Sequence, residues 1–237
     1  MDRNSLTDFE DIEKMLSDKG WTLAKFLRMS AEKNSQTLNL DNINQQKFKD
    51  CYDIIEKKQY KTEEKGKKLE ELISILFEGY EGLIEVIRNC RTSSNEIDLL
   101  LDWSEKARRA NLNSAYTCIE NGFLCECKNY GKKVSVTYIG KFFSLLCVSN
   151  VKLGIMIAWE GVSGGSSSWN YGTGLIKKIA LKKDIYILVI DKDDLKKIYN
   201  GKTNIFSLIY EKHKALQYNI DYSKYICKHN AEKHFVD

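Results

Sequence analysis

A chain of 237 residues with 43% hydrophobic side chains can bury a sizeable core, as one large domain or as a main domain with a smaller appendage. No apolar run approaches the ~18 residues of a bilayer span, and the polar start Met1-Asp2-Arg3-Asn4-Ser5 has no apolar leader segment, so neither a membrane partner nor secretion is expected. Seven cysteines, an odd number without disulfide-framework spacing, include Cys118, Cys125, Cys127 and Cys147 in apolar surroundings; they read as reduced core residues of a cytoplasmic protein.

Residues 1 to about 60 read as short helices. Thr7-Asp8-Phe9-Glu10 fits a capping box, with Phe9, Ile12, Met15 and Leu16 at helical spacing and a stop at Lys19-Gly20. Thr22 caps a second helix carrying Leu23, Phe26 and Leu27, and a polar connection over 34–42 leads to a third helix over 44–58. Past the polar segment 60–66, Leu69, Leu72, Ile73, Leu76 and Phe77 mark an amphipathic helix ending near Gly79 or Gly82. Strands are predicted at about 83–90 and 95–101, then a charged, weakly periodic excursion over 104–121, then a strand at 123–128. A Gly131 turn precedes a helix from 135 or 136 to 148, with Tyr138, Phe142, Leu145 and Leu146 on one side. An apolar strand at 153–159, a Gly- and Ser-rich loop or helix entrance at 161–174, a helix to 183 and a strand at 185–190 follow. Beyond Asp191, Leu195, Ile198 and Tyr199, then Phe206, Leu208, Ile209 and Tyr210, keep helical spacing.

Continuous apolar strands alternating with helices indicate an α/β fold, a mixed sheet with helices on both faces. The pattern divides the chain into a helical N-terminal region at 1–62, a core at 63–192 and a C-terminal helical extension at 193–237.

The most informative stretch is Phe123-Leu124-Cys125-Glu126-Cys127-Lys128. In a strand, successive side chains alternate faces, so Glu126 and Lys128 project together while Phe123, Cys125 and Cys127 point the other way. An acid and an ammonium within such a run cost several kcal/mol to bury unless something pairs them. Asp98 lies in a similar pattern upstream, Glu96-Ile97-Asp98-Leu99-Leu100-Leu101. Two carboxylates and one lysine are a compact set for holding Mg²⁺ and cutting a phosphodiester. Brought together without the ion, the carboxylates repel and raise at least one pKa, so such a site is destabilising when empty.

The net charge of +4 is mild, but its distribution is informative. Lys57, Lys58, Lys61, Lys65, Lys67 and Lys68 crowd one segment; Lys128, Lys132, Lys133 and Lys141 follow the central motif; Lys177, Lys178, Lys182 and Lys183 form another cluster. Any one cluster fits a solvated face; several of them around one motif point to phosphate contact.

The order of a helix opened by Gly66-Lys67-Lys68-Leu69-Glu70, a strand with Asp98, a strand with Glu126-x-Lys128, then a helix and a buried strand resembles the PD-(D/E)xK nuclease superfamily. The strings Arg91-Thr92-Ser93-Ser94-Asn95-Glu96-Ile97-Asp98 and Cys125-Glu126-Cys127-Lys128-Asn129-Tyr130 look like those of its restriction-endonuclease-like, Mrr-type branch. The resemblance covers roughly 65–190, and Ile97 stands where the superfamily usually has proline. It implies a restriction-endonuclease-like core in which Asp98, Glu126, Lys128 and Glu70 are catalytic. Mg²⁺, or Mn²⁺ in its place, would be held by Asp98, Glu126, the backbone carbonyl of Cys127 and Glu70. Lys128 would orient the attacking water and offset transition-state charge. Lys141 would reach the scissile phosphate, and Lys132, Lys133 and Lys67 would contact nucleic acid.

Other readings stand beside these. Glu126 and Lys128 also fit a salt bridge on an exposed sheet edge, Glu70 a solvated face beside Glu71, and Glu96 either an alternative ligand or a surface partner. Cys125 and Cys127 cannot close a tetrahedral zinc site alone and fit core packing, while Cys227, His229 and His234 are too sparse for one. The serines at 163–168 have no base at recognisable spacing, and Gly161-x-x-Gly164-Gly165 is not a Walker pattern. Trp159, Trp169 and Tyr171 suit base stacking; Trp159 suits core packing better.

The resulting expectation is a cytoplasmic, Mg²⁺-dependent endonuclease of restriction or phage-defence type that acts on DNA and leaves 5′-phosphates. A homodimer and a protein or DNA partner for residues 1–60 accompany it. The alternatives are an RNA- or structure-specific nuclease, or a non-catalytic nucleic-acid-binding subunit of the same fold.

Overall fold

The computed structural model describes residues 14–22, 25, 40–61, 64–80, 82–91, 96–109, 121–165 and 170–218, with the side chains of Cys90, Arg91 and Glu96 excepted. The capping box at Thr7-Asp8-Phe9-Glu10, the positions Leu23, Phe26 and Leu27, and Cys118, Trp169, Cys227, His229 and His234 lie outside them. The chain forms two compact units, 1–39 and 40–237. In the first, residues 14–18 are helical. As expected, that turn stops at Lys19-Gly20: Gly20 takes φ 67° and its N–H donates to the Ser17 carbonyl at 2.8 Å. Thr22 Oγ1 accepts the Lys25 N–H at 3.2 Å, the cap its sequence position suggested.

The larger unit opens with α1 (Asn42–Glu56), whose N-cap Asp41 accepts the Asn44 N–H at 2.8 Å. It buries Phe48, Cys51, Tyr52 and Ile55 and packs on α2 (Lys65–Glu78), with Cys51 on the Lys68 carbonyl and Tyr52 on Trp159, so this helix belongs to the larger unit. α2 buries Leu69, Leu72, Ile73, Leu76 and Phe77, the stripe its periodicity foretold. Then come β1 (Ile84–Arg91), β2 (Glu96–Trp103), the short α3 (Glu105–Arg109), β3 (Phe123–Lys128), α4 (Val136–Val148), β4 (Leu153–Ala158), α5 (Tyr171–Lys183), β5 (Tyr186–Ile190), α6 (Lys192–Tyr199) and α7 (Ile205–Gln217).

The five strands form one mixed sheet in sequence order, β1 to β5. β1, β2 and β3 pair antiparallel; β3, β4 and β5 pair parallel through the crossover helices α4 and α5. α2 covers the face carrying Phe123, its Phe77 ring meeting the Phe123 ring at 5.7 Å. On the opposite face Leu124, Met156, Ala158 and Ile187 pack with Ile139, Phe142, Leu146, Ile176 and Ile179 of α4 and α5. The sheet is thus buried on both faces, which is why β4 is apolar throughout. Trp159 is buried with its ring 5.3 Å from Tyr52, as core packing required. No helix among the described residues is long and apolar enough to cross a membrane.

α4 lies on β4 at a glycine. A Cβ on Gly154 would stand 2.7 Å from Phe142 Cε1 and 2.8 Å from Leu146 Cδ1. Gly154→Ala should therefore lower the unfolding free energy by about 2 kcal/mol in urea denaturation. Gly140→Ala on α4, where a Cβ meets nothing within 4 Å, should raise it by roughly 0.5–1 kcal/mol.

Candidate active site

The motif strand β3 is the central strand of the sheet. This corrects the alternative that placed Glu126 and Lys128 on an exposed edge. β2 runs antiparallel to β3, so the start of one lies beside the end of the other. Their register pairs Leu99 with Cys125 and Leu100 with Leu124. Continued by one residue it would set Asp98 opposite Glu126, on the same face. The backbone ladder stops there: Asp98 Oδ2 accepts the Cys127 N–H at 2.7 Å. A carboxylate thus takes the place of a strand carbonyl, and that bond fixes the Asp98 side chain against the end of β3.

Lys128 binds both acids. Its ammonium is ion-paired to Glu126 and lies 3.7 Å from Asp98 Oδ2. The three side chains are only 14% (Lys128), 17% (Glu126) and 18% (Asp98) exposed, so these charges interact with little screening by water. Burial raises the Glu126 pKa above its usual value, and the Asp98 charge adds to the rise; Lys128 offsets part of it, and Glu70 makes a smaller upward contribution. For Lys128 burial opposes the charge, but Glu126 and Asp98 outweigh it and hold the ammonium protonated well above its ordinary range. Repulsion between metal-free carboxylates was the expectation, and Glu126 bears it.

The rise on Glu126 has a stability consequence. A raised acid pKa favours the folded state where the acid is protonated, and that advantage is lost as pH rises through the raised value. At neutral pH the ionised carboxylate is therefore a net cost. Glu126→Gln should raise the melting temperature by roughly 2–4 °C in metal-free buffer at pH 7, an increment that should shrink when the comparison is made at pH 4 by scanning calorimetry.

A cleft of about 460 Å³ opens at this end of β3, lined by Lys65, Gly66, Glu70, Asp98, Cys127, Lys128, Asn129 and Tyr130. Glu70 of α2 thus shares a cleft with Asp98 and Lys128, while Glu126, paired with Lys128, is not part of the lining. Lys67 is exposed on α2, Lys132 and Lys133 are exposed in the turn after β3, and Lys141 is exposed on α4; none of these four lines the cleft. The oxygen donors suit Mg²⁺, and the Lys128 ammonium already stands as a cation between two of the carboxylates. Among the described residues, however, no three His, Cys, Asp or Glu side chains stand together at metal-holding distance. Asp98 is turned to the Cys127 amide and Glu126 to Lys128.

Cys125 and Cys127 are buried free thiols. A hydrogen bond with Cys125, and then burial, push the Cys127 pKa up, which suits core packing and not metal ligation. Cys147, expected in the core, is exposed on α4. Three residues not singled out as site residues from sequence, Lys65 having been named only within a lysine cluster, also belong to the site. The Lys65 ammonium lies over Gly131, where an added Cβ would come within 2.9 Å of it. Asn129 is 5% exposed and donates to the Lys65 carbonyl at 3.4 Å, joining the end of β3 to the start of α2, while its Oδ1 has no partner among the described residues. Tyr130 lines the cleft and sets its ring 5.2 Å from that of Tyr138. Their signal in sequence was position alone: they flank the motif or open the first core helix.

No protein-family model matches the chain, and no curated protein matches it either.

Proposed function

We propose that this protein is a Mg²⁺-dependent endonuclease that hydrolyses DNA phosphodiester bonds and leaves 5′-phosphates, built on a restriction-endonuclease-like core. The observation that supports it is the meeting of Asp98 from β2 with Glu126 and Lys128 of β3, two acids and an ammonium, at the end of the central strand beside a cleft. Parallel α/β sheets carry their sites at the carboxyl ends of strands, and β3 and β4 both end here.

Asp98 and Glu126 would hold Mg²⁺, with the Cys127 carbonyl and Glu70 as further oxygen donors; the ion, when bound, supplies Lewis acidity and charge neutralisation at the phosphate. Lys128, kept protonated by its two acids, orients the attacking water and stabilises the negative charge that builds on the phosphoryl oxygens. Water attacks phosphorus, the bond to the 3′-oxygen breaks, and the phosphate stays on the 5′ side. The Cys127 N–H holds Asp98 in place, so the acid is preorganised at no further entropic cost. Lys65 in the cleft, with Lys132, Lys133 and Lys141 outside it, draws the phosphate backbone. Restriction or phage defence is the setting that suits such an enzyme, as a homodimer cutting both strands, with the N-terminal region binding DNA or a partner.

One observation favours a second reading. Lys128 occupies the space between both carboxylates, and no three acidic ligands gather among the described residues, as in a nucleic-acid-binding subunit with a closed site. Incubating the protein with plasmid DNA and with RNA in Mg²⁺ or Mn²⁺, alongside Asp98→Ala, decides between them. Metal-dependent nicking lost in the variant supports the nuclease. Binding without cutting under either ion selects the binding subunit, and degradation of RNA alone changes the substrate class.

A further inference from the structure

Two tyrosines, one of them lining the cleft, have a geometry that packing does not require. Tyr130 lines the cleft and is 45% exposed; Tyr138, in the first turn of α4, is 36% exposed. Their ring centroids are 5.2 Å apart with planes at 43°, so the pair makes an open aromatic corner. α4 meets the core through Ile139, Phe142, Leu145 and Leu146; Tyr138 shares their side of the helix but, in the first turn, stays exposed. Lys141, one turn further along, holds its ammonium 5.8 Å from the Tyr138 ring centroid. Lys132 and Lys133 are exposed in the turn joining the two tyrosines, and no carboxylate pairs with them or with Lys141 among the described residues.

Exposed tyrosines are ordinary on a protein surface. These differ in touching each other, in that Tyr130 lines a cleft with two acids and two lysines, and in having Lys141 over the Tyr138 ring. In a duplex each base has both faces covered by its neighbours, leaving only edges and phosphates to a protein. An aromatic face beside phosphate-binding lysines is therefore matched to a base that has left the stack.

We propose that Tyr130 and Tyr138, with Lys141 beside them, form a stacking site for an unpaired nucleobase, so that the cleft takes single-stranded or locally unpaired nucleic acid. The inference rests on the nuclease reading of the same cleft and names its substrate class.

The test is fluorescence anisotropy in EDTA with an end-labelled single-stranded DNA of about 20 nucleotides, longer than the ~4–16 of a typical single-strand site, and with the matching duplex. Tyr138→Ala should weaken single-strand binding roughly tenfold and leave duplex binding within about twofold, while Tyr138→Phe, which keeps the ring, should bind like wild type. Lys141→Gln should weaken both substrates and reduce the salt slope by about one. If the alanine variant fails to fold, Tyr138→Leu gives the same reading, because leucine keeps apolar bulk without a π-face. Unchanged single-strand affinity in the ringless variant, or an equal loss on duplex, overturns the stacking site. Plasmid and single-strand cleavage by wild type, run alongside, separates the two ideas. Cleavage with unchanged binding by the variant removes only the stacking site, and ring-dependent binding without cleavage removes only the nuclease. A wild type that neither binds nor cuts removes both.

Discussion

Replacing Lys128 by methionine should lower the unfolding free energy by about 3 kcal/mol in metal-free buffer and abolish cleavage in Mg²⁺. The side chain is 14% exposed and is the counter-ion of two carboxylates that are themselves mostly buried. Methionine keeps the length and apolar stem but leaves Asp98 and Glu126 facing each other, and an uncompensated buried charge costs more than the intact pair contributes. The stabilisation lost is present throughout the neutral range. A lysine pKa raised in the fold contributes fully below its ordinary value of 10.5 and is lost only as pH rises through the higher folded value. Mg²⁺ should then raise the melting temperature of Lys128→Met more than that of wild type, because in wild type the ammonium competes for the same two acids. Equal melting temperatures for the two proteins without metal would show that Lys128 compensates nothing. A variant that still cuts would remove it from the chemistry.

The motif strand was legible because charges interrupt an apolar run in only a few ways: 123–128 is the strand both in sequence and in space. Its neighbours were legible in order but not in extent. β2 continues past 101 because Asp102 and Trp103 still pair with Glu85 and Ile84, a partnership that no property of β2 alone reveals. α1 begins and ends two residues earlier than periodicity indicated, because Asp41 caps it and Lys58 turns to φ 55°. The Gly- and Ser-rich run at 161–174 contains the start of α5 despite two glycines in that helix, against local propensity. A Cβ on Gly172 would meet Val162 Cγ1 at 2.3 Å, so the glycine serves close packing, which composition does not disclose. The same limit hid the aromatic corner. Helical spacing put Tyr138 with Phe142 and Leu145, but its ring turns to Tyr130 across a turn that spacing cannot close. Asp98 was chosen for its place in a string of motifs; its bond to the Cys127 amide is a tertiary fact.

That bond gives Asp98 two separable jobs, and two substitutions tell them apart. Asp98→Ala should reduce Mg²⁺-dependent cleavage about a thousandfold with nucleic-acid affinity changed little, since the phosphate-binding lysines remain. It should also cost about 1 kcal/mol of stability, because the Cys127 N–H loses the acceptor that stood at 2.7 Å. Part of that loss is returned: without the Asp98 charge, Glu126 is less strongly opposed. Asp98→Asn keeps an oxygen for the Cys127 amide and removes only the charge. It should fold as stably as wild type and still fail to cut, measured by denaturation and by plasmid nicking on the same preparation. If the asparagine variant cuts at the wild-type rate, the carboxylate serves only to end the β2–β3 ladder, and Mg²⁺ has lost its anchor on β2. If it is inactive but binds DNA like wild type, the negative charge itself is what the chemistry uses, because geometry, fold and substrate affinity have all been held constant.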